Sequence, residues 1–182
     1  MFPFKQDLSS EQKNYTKWIT NTCDYVIVHH TGTVQGTLWG NLKVLLGHTR
    51  NPVSCHFLVD GDGSAYKLAD PKLVTWHAWS SRWGSINWLN FHSLGIEIIG
   101  PDFTHAQRVT VRKLIQHLMA VFNIPKANVL RHADLTHAGS AKKILWDWVS
   151  KSRKIDVADS FWKIDRTTWF EYQNSLVPKK AE

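Results

Sequence analysis

Residues that could hold a divalent metal ion lie near the ends of predicted strands. His29 and His30 end an apolar, β-branched run, and His132 follows a second, shorter run. An acidic residue, Asp147, comes later in the chain. Two imidazoles and one carboxylate on Zn²⁺ leave one coordination position open for water, as in catalytic zinc sites. Since the chain has 10 histidines, this spacing alone is a weak signal, and it indicates a metal-dependent hydrolase only as a hypothesis.

Glu97 is the single charge inside the apolar run Leu94-Gly-Ile-Glu-Ile-Ile-Gly. A carboxylate flanked by Ile96 and Ile98 is costly to bury. It must face the opposite side of the strand or occupy a site that uses it. Glu97 is therefore a candidate general base.

Several other histidines have a structural interpretation. A histidine beside an apolar segment more often completes a packed structure than binds a metal. We expect that for His48, His105 and His117, while His92 and His137 could serve either purpose.

The elements that must position these residues alternate between strands and helices. Hydrophobic periodicity predicts strands at 25–30, 53–68, 94–99 and 128–131, and helices at 37–48 and 104–122. The Asp-Gly pairs within 60–63 predict a tight hairpin turn in the second of these strand regions. A Ser-led segment predicts a capped short helix over 8–19, residues 69–93 are expected to be irregular, and residues 141–182 to be largely helical.

Length and composition favour one globular domain. The chain has 182 residues, of which 43% are hydrophobic, so it can bury a core of its own. We expect an N-terminal helical segment at 1–23, a catalytic core at 24–150 and a C-terminal helical extension at 151–182. With only two cysteines, Cys23 and Cys55, a disulfide framework is excluded.

The net charge of +7 favours a polyanionic partner, such as nucleic acid, anionic lipid or an acidic wall polymer. We expect no nucleic acid, because the basic residues are scattered and no nucleic-acid-binding motif accompanies them. Ten tryptophans are present, and Trp76, Trp79, Trp83 and Trp88 share one stretch. Their rings could contact sugars, whereas core packing is the expectation for Trp18, Trp146 and Trp148.

Targeting signals are not evident in the sequence. The first residues lack the pattern of a secretory signal, and no stretch reaches the roughly 18 apolar residues that a membrane span needs. We therefore expect a protein that is made in the cytoplasm without a signal peptide and is not an integral membrane protein. We also expect a monomer.

Five ordered segments resemble the type-2 N-acetylmuramoyl-L-alanine amidases, a family that includes phage lysozyme-like amidases, muropeptide amidases and peptidoglycan recognition proteins. These segments are Val26-Ile-Val-His-His-Thr, Val53-Ser-Cys-His-Phe-Leu-Val-Asp-Gly-Asp-Gly, Trp76-His-Ala-Trp, Leu94-Gly-Ile-Glu-Ile-Ile-Gly and Leu130-Arg-His-Ala-Asp. The resemblance covers about residues 24–149. It implies a single α/β domain with a central mixed β-sheet flanked by helices and a zinc groove on one side. It also implies zinc-dependent cleavage of the amide bond between N-acetylmuramic acid and L-alanine in peptidoglycan.

The resemblance also assigns metal ligands. His29 and His132 match two zinc ligands of the family. The third position departs from the family pattern, because its usual window holds Ser140-Ala-Lys-Lys. We assign Asp147 as the third ligand, with His137 as the competitor.

Glu97 matches the general base of the muropeptide amidases. Cys55 stands where other members have a tyrosine base, and a thiol is a poor substitute. The lysine that stabilises the oxyanion matches Lys143, with Lys142 as the alternative. Asp134 is expected to orient a ligand or its loop.

Substrate contacts complete the set of expected roles. We assign His77, Trp76 and His30 to substrate binding, although strand alternation turns His30 away from the metal. A small phage endolysin acting on the cell wall is the favoured interpretation. A non-catalytic module that binds peptidoglycan with the same groove is the main alternative, and a regulatory protein partner is a third possibility that no feature of the sequence identifies.

Overall fold

A computed structural model of the protein describes residues 1–32, 36–100 and 103–137. The strands, in chain order, are β1 (Gln6–Asp7), β2 (Tyr15–Thr20), β3 (Tyr25–His30), β4 (Phe57–Val59), β5 (Ala65–Lys67), β6 (Leu73–Thr75), β7 (Ser81–Trp83), β8 (Ile86–Asn87), β9 (Ser93–Ile98), β10 (Val129–Arg131) and β11 (Thr136–His137). The helices are α1 (Leu38–Leu45) and α2 (His105–Phe122). Single 3₁₀ turns cover Ser9–Glu11, Leu89–Phe91, Lys126–Asn128 and His132–Asp134.

The central sheet has six strands in the order β1-β5-β4-β9-β3-β10. β3 lies between β9 and β10 and is parallel to both, while β4 and β5 form the antiparallel hairpin. This arrangement confirms the predicted α/β architecture with a central mixed sheet. Two smaller sheets, β11-β7-β8 and β2-β6, lie outside it.

Strand alternation divides the central sheet into two faces with different partners. One face packs on α2, which is held at its start by a capping box between Thr104 and Gln107. The buried residues of this layer are Val26, Val28, Phe57, Val59, Leu94, Ile96, Ile98, Val111, Leu114, Ile115, Leu118 and Val129. At roughly 1.5–3 kcal/mol for each large apolar side chain, burial in this layer is a main source of stability.

The opposite face is covered by α1 and by the segment between β6 and β9. Leu58 packs there with Leu42, Leu45 and Leu46, and Ile27 and Leu130 pack with Ala78, Leu89 and Leu135. Odd-numbered residues of β3 and β9 point to this side. The face therefore includes His29 and Glu97.

Two local predictions are wrong. The helix predicted over 8–19 is only a 3₁₀ turn followed by β2, which pairs with β6. Thr16, Ile19 and Thr20 are β-branched, and pairing with a neighbouring strand outweighs the weak helical pattern. The segment 69–93, expected to be irregular, contains β6, β7 and β8.

The strands at 25–30, 94–99 and 128–131, the hairpin within 53–68 and the helix at 104–122 are confirmed, with small shifts at their ends. Residues 141–182, predicted to be largely helical, lie outside the described part of the chain. Neither α1 nor α2 is both long and apolar enough to cross a membrane.

Candidate metal and catalytic site

The candidate site lies where three parallel strands end. β3 carries His29 one position before its end, and β9 places Glu97 directly opposite His29 in the register. β10 ends at Arg131, paired with Val28, so that the next residue, His132, emerges beside His29. Residues from distant parts of the sequence meet at this edge because the carboxyl ends of parallel strands lie together.

His29 and His132 are close enough to share one metal ion. Their Nδ1 atoms are 3.0 Å apart. Two nitrogens bound tetrahedrally at zinc–nitrogen distances of about 2.0–2.1 Å would be roughly 3.3 Å apart. The pair therefore fits two adjacent positions of a zinc site after a small adjustment.

The protonation state of His29 also suits a ligand. The side chain is 3% exposed, and this burial, followed by the charges of His132 and His77, holds its pKa well below the usual 6.5. The imidazole is thus neutral at neutral pH. A neutral ring keeps one nitrogen lone pair, which metal binding requires.

Asp134 holds the turn that carries His132. Its carboxylate accepts hydrogen bonds from the Arg131 backbone N–H at 2.9 Å and from the Arg131 Nε at 3.0 Å, and Arg131 Nη2 pairs with it as well. These hydrogen bonds close the 3₁₀ turn that contains His132. The structure thus agrees with the expectation that Asp134 orients the loop.

Glu97 lies on the same face as His29, between His29 on β3 and Leu58 on β4. Its side chain is half-buried. The sequence left open whether this carboxylate only points to the opposite side of the strand from its apolar neighbours or occupies a site that uses it, and the register places it directly opposite His29. A carboxylate in this position can accept a proton from a molecule held at the ligands.

Cys55 lies near Glu97 but is unsuited to acid–base chemistry. The thiol is fully buried and donates to the Phe57 carbonyl at 3.2 Å. Burial, followed by the charge of Glu97, raises its pKa well above the usual 9.0. Cys55 therefore remains a protonated thiol at neutral pH, as expected for a poor substitute base.

Cys55→Ala is expected to leave hydrolytic activity within about two-fold of the unmodified protein, because a thiol that stays protonated cannot act as a base. Loss of one buried sulfur costs at most a few kcal/mol of unfolding free energy. Steady-state rates and urea unfolding measure the two effects. A fall of activity to background in a folded variant would make Cys55 part of the chemistry.

Two residues assigned to substrate binding have other surroundings than expected. His77 is 8% exposed, and its Nδ1 lies 2.9 Å from His29 Nε2, so it lies behind the ligand rather than in an open groove. His30 belongs by alternation to the α2 face, and its Nδ1 accepts from the Gly32 N–H at 3.0 Å. A direct role of either residue in substrate contact stays a prediction.

One prediction about the tryptophans is wrong. Trp18, expected in the core, is 92% exposed on β2. Trp76 is partly buried and meets Phe91 edge to face, whereas Trp79 is 55% exposed. Trp76 and Trp79 line one surface cavity with Asn14, Pro52, Val53 and Asn90. Trp146 and Trp148 lie outside the described residues.

Other predicted site residues also lie beyond the described part. Asp147, Lys142 and Lys143 are among them. His137 ends β11, where it pairs with Ser81 of β7. Within residues 1–32, 36–100 and 103–137, no three His, Cys, Asp or Glu side chains form a group that could hold a metal. The third ligand therefore stays a prediction.

His56 is a structural residue to which the sequence analysis gave no role. Its Nδ1 accepts from the Gly95 N–H at 3.0 Å, and its Nε2 lies 2.9 Å from the Leu73 carbonyl. The hydrogen must be on Nε2, so only the neutral ring satisfies both contacts. His56 thereby ties the hairpin to β9 and β6. Its place in an otherwise apolar run is the signal that could have identified it.

Burial lowers the pKa of His56 to about 4 from the usual 6.5, against the raising effect of its bond to Leu73. The unfolded chain therefore takes up a proton at higher pH than the folded chain. The contribution of His56 to the free energy of unfolding is fully present above pH 6.5. It declines as the pH falls towards 4, by about 3 kcal/mol in total. Urea unfolding of the protein and of His56→Gln across this range measures the effect, and the variant is expected to show a shallower decline. An equal decline in both would assign the pH dependence to other groups.

Several solved structures share this fold, and two of them are endolysins. The endolysin LysCS, an N-acetylmuramoyl-L-alanine amidase from Clostridium intestinale, has a TM-score of 0.56 at 19% identity, over 76% of this chain and 88% of that one. A mutant endolysin from Bacillus subtilis has a TM-score of 0.59 at 27% identity, and the match covers 86% of this chain and 99% of that one. AmpDh3 from Pseudomonas aeruginosa, in complex with anhydromuramic pentapeptide, has a TM-score of 0.56 at 19% identity, and the match covers 72% of this chain and 58% of that one.

A comparison with curated proteins finds no match. The family model described as N-acetylmuramoyl-L-alanine amidase matches residues 19–156, which is most of the chain. This range includes His29, Glu97 and His132. With the shared fold, the match shows that the chain belongs to the N-acetylmuramoyl-L-alanine amidase family.

Proposed function

We propose that this protein hydrolyses the amide bond between N-acetylmuramic acid and L-alanine of peptidoglycan, with one zinc ion bound by His29, His132 and Asp147. The observation that carries the proposal is the 3.0 Å separation of the two Nδ1 atoms next to Glu97 in the register. Membership of the amidase family supports the identity of the bond.

The donor set suits hydrolysis at neutral pH. Two neutral imidazoles and one carboxylate would leave a net positive charge on zinc, which when bound polarises an amide carbonyl and lowers the pKa of water to about 7. His29 is held neutral by its burial. His132 is held in place by the turn that Arg131 and Asp134 close.

Proton transfer is assigned to Glu97. Its carboxylate would take the proton of the attacking water and deliver it to the nitrogen of alanine as the amide bond breaks. Cys55, a titratable group near this position, is held in its protonated form. We assign stabilisation of the developing oxyanion to Lys143, which the family resemblance indicates.

Binding of a wall polymer agrees with the charge and the aromatic residues. The net charge of +7 favours an anionic cell wall. Trp76 and Trp79 line a cavity whose aromatic walls suit a sugar ring or an apolar stem residue. The similarity to endolysins of Clostridium and Bacillus supports a role as a phage endolysin, and the muropeptide complex of AmpDh3 supports the substrate class.

Digestion of purified peptidoglycan tests the proposal. The chain is incubated with sacculi in the presence of zinc or of a chelator, and the soluble products are identified by mass spectrometry. Zinc-dependent release of stem peptides with a free N-terminal alanine, and with the glycan strands intact, is the expected result. Cleavage within the glycan or within the stem would contradict it. Muropeptide binding without zinc and without hydrolysis would assign the protein to a non-catalytic binding class.

A further inference from the structure

A line of three side chains lies behind the candidate metal ligand. His29 Nε2 is 2.9 Å from His77 Nδ1, and His77 Nε2 is 3.4 Å from Ser93 Oγ. Ser93 is fully buried, and His29 and His77 are almost completely buried. His77 also makes a hydrogen bond to the Ser93 backbone. Because each ring nitrogen of His29 and His77 in this line has a polar neighbour, the hydrogen positions along it are linked.

The hydrogen positions follow from the last member. Ser93 Oγ also contacts the Leu89 carbonyl, which can only accept, so the hydroxyl hydrogen is directed there. The Ser93 oxygen then accepts from His77, which places the hydrogen of His77 on Nε2. His77 Nδ1 is left as an acceptor for His29 Nε2–H.

This order leaves Nδ1 of His29 without a hydrogen. That nitrogen is the one 3.0 Å from His132 Nδ1. Its lone pair therefore points to the place where a shared ion would bind. The other tautomer of His29 would put a hydrogen at that place and would leave two acceptors, His29 Nε2 and His77 Nδ1, facing each other.

The backbone around His77 fixes its ring against β9. Gly95 permits the close approach, because a Cβ there would lie 2.6 Å from His77 Cγ. Asn90 accepts from the His77 N–H at 3.1 Å and the Ala78 N–H at 2.7 Å, and donates to the Trp79 carbonyl at 3.1 Å. The ring is therefore held by packing and by a buried amide.

We propose that Ser93 and His77 are positioning residues that hold His29 in the tautomer able to bind a metal through Nδ1. The metal part of this inference rests on the proposed function, whereas the tautomer is a property of the metal-free chain. His77 provides an uncharged acceptor, so it orients the ligand without adding negative charge to the site. Outer partners of this kind fix the ring orientation of metal-binding histidines.

Nitrogen-15 NMR of the metal-free, full-length protein tests the tautomer directly. At about pH 8, which is above the usual histidine pKa of about 6.5, long-range couplings distinguish Nδ1–H from Nε2–H rings. Both His29 and His77 are expected as Nε2–H. An Nδ1–H form of His29 in the metal-free protein would overturn the proposal, whether or not the protein binds zinc.

Matched variants test the consequence for the metal. His77→Leu removes the acceptor, whereas His77→Asn keeps an oxygen near the place of Nδ1. Zinc affinity, measured by competition with a chromophoric chelator, is expected to fall roughly 10–100-fold in the leucine variant and only a few-fold in the asparagine variant. Equal losses in both would indicate a merely structural role.

Ser93→Ala is the milder test, with Ser81→Ala as its control. Both serines are fully buried, and Ser81 Oγ makes no hydrogen bond to the described residues. Ser93→Ala is expected to give a mixture of His77 tautomers and weaker zinc binding, whereas Ser81→Ala changes neither. Unchanged tautomers in Ser93→Ala would remove Ser93 from the proposal. If the unmodified protein shows the expected tautomers but binds no zinc, the proposed function fails while the tautomer assignment stands.

Discussion

Glu97→Gln is expected to reduce hydrolysis of peptidoglycan by about 10²–10⁴-fold while zinc remains bound and the fold intact. Glutamine keeps the size of the side chain but cannot accept the proton of the attacking water. The register places this carboxylate next to His29, and the neighbouring thiol of Cys55 is held protonated. Cys55 therefore cannot replace Glu97 as the base. Rates of stem release, with zinc content measured on the same sample, provide the test.

Glu11→Gln is the matched control, because this carboxylate is exposed in the 3₁₀ turn at Ser9–Glu11. The control variant is expected to retain full activity. Hydrolysis at the normal rate by folded Glu97→Gln would assign the general base to another residue. Loss of zinc together with activity would mean that Glu97 acts on the metal site rather than on the proton.

Removal of either candidate ligand is the second change with a large expected effect. His29→Ala and His132→Ala are each expected to lose both bound zinc and activity. The loss of affinity should exceed the roughly 10–100-fold that removal of an outer partner causes. Each substitution removes one of the two imidazoles whose Nδ1 atoms lie 3.0 Å apart, so that only one of the two described ligands remains. Metal analysis after dialysis and equilibrium competition measure the loss.

His48→Ala serves as the control for these variants, because His48 is exposed after α1. Zinc content and activity are expected to remain unchanged in it. Circular dichroism and thermal unfolding must show that the ligand variants are folded, since His29 is buried. A full complement of zinc in folded His132→Ala would place the metal elsewhere in the chain.

The sequence predicted the central elements well because their patterns are local. α2 combines a Thr104 cap with apolar residues at helical spacing, and the strand that ends in His29 is a continuous β-branched run. The family resemblance selected His29 as the ligand, and alternation along the strand indicated that His30 turns away from it. These features depend on neighbours within a few residues, so a single sequence contains them.

Other features depend on contacts between distant segments. β2 forms because a partner strand, β6, is available, and nothing near Trp18 indicates that its ring stays exposed. The contacts of His77 with His29 and Ser93 join separate strands and loops. The family resemblance assigned His77 to substrate contact, but the sequence could not show which atoms it contacts.

The two imidazoles that approach each other at the sheet edge are 103 residues apart along the chain. During synthesis, the first of them leaves the ribosome long before the strand that delivers the second. A nascent chain lacking β10 therefore cannot chelate an ion with this pair, however well its earlier strands have folded. In the proposed zinc site, capture of the ion would therefore require the docking of one short parallel strand, and zinc loading would report that this strand has docked.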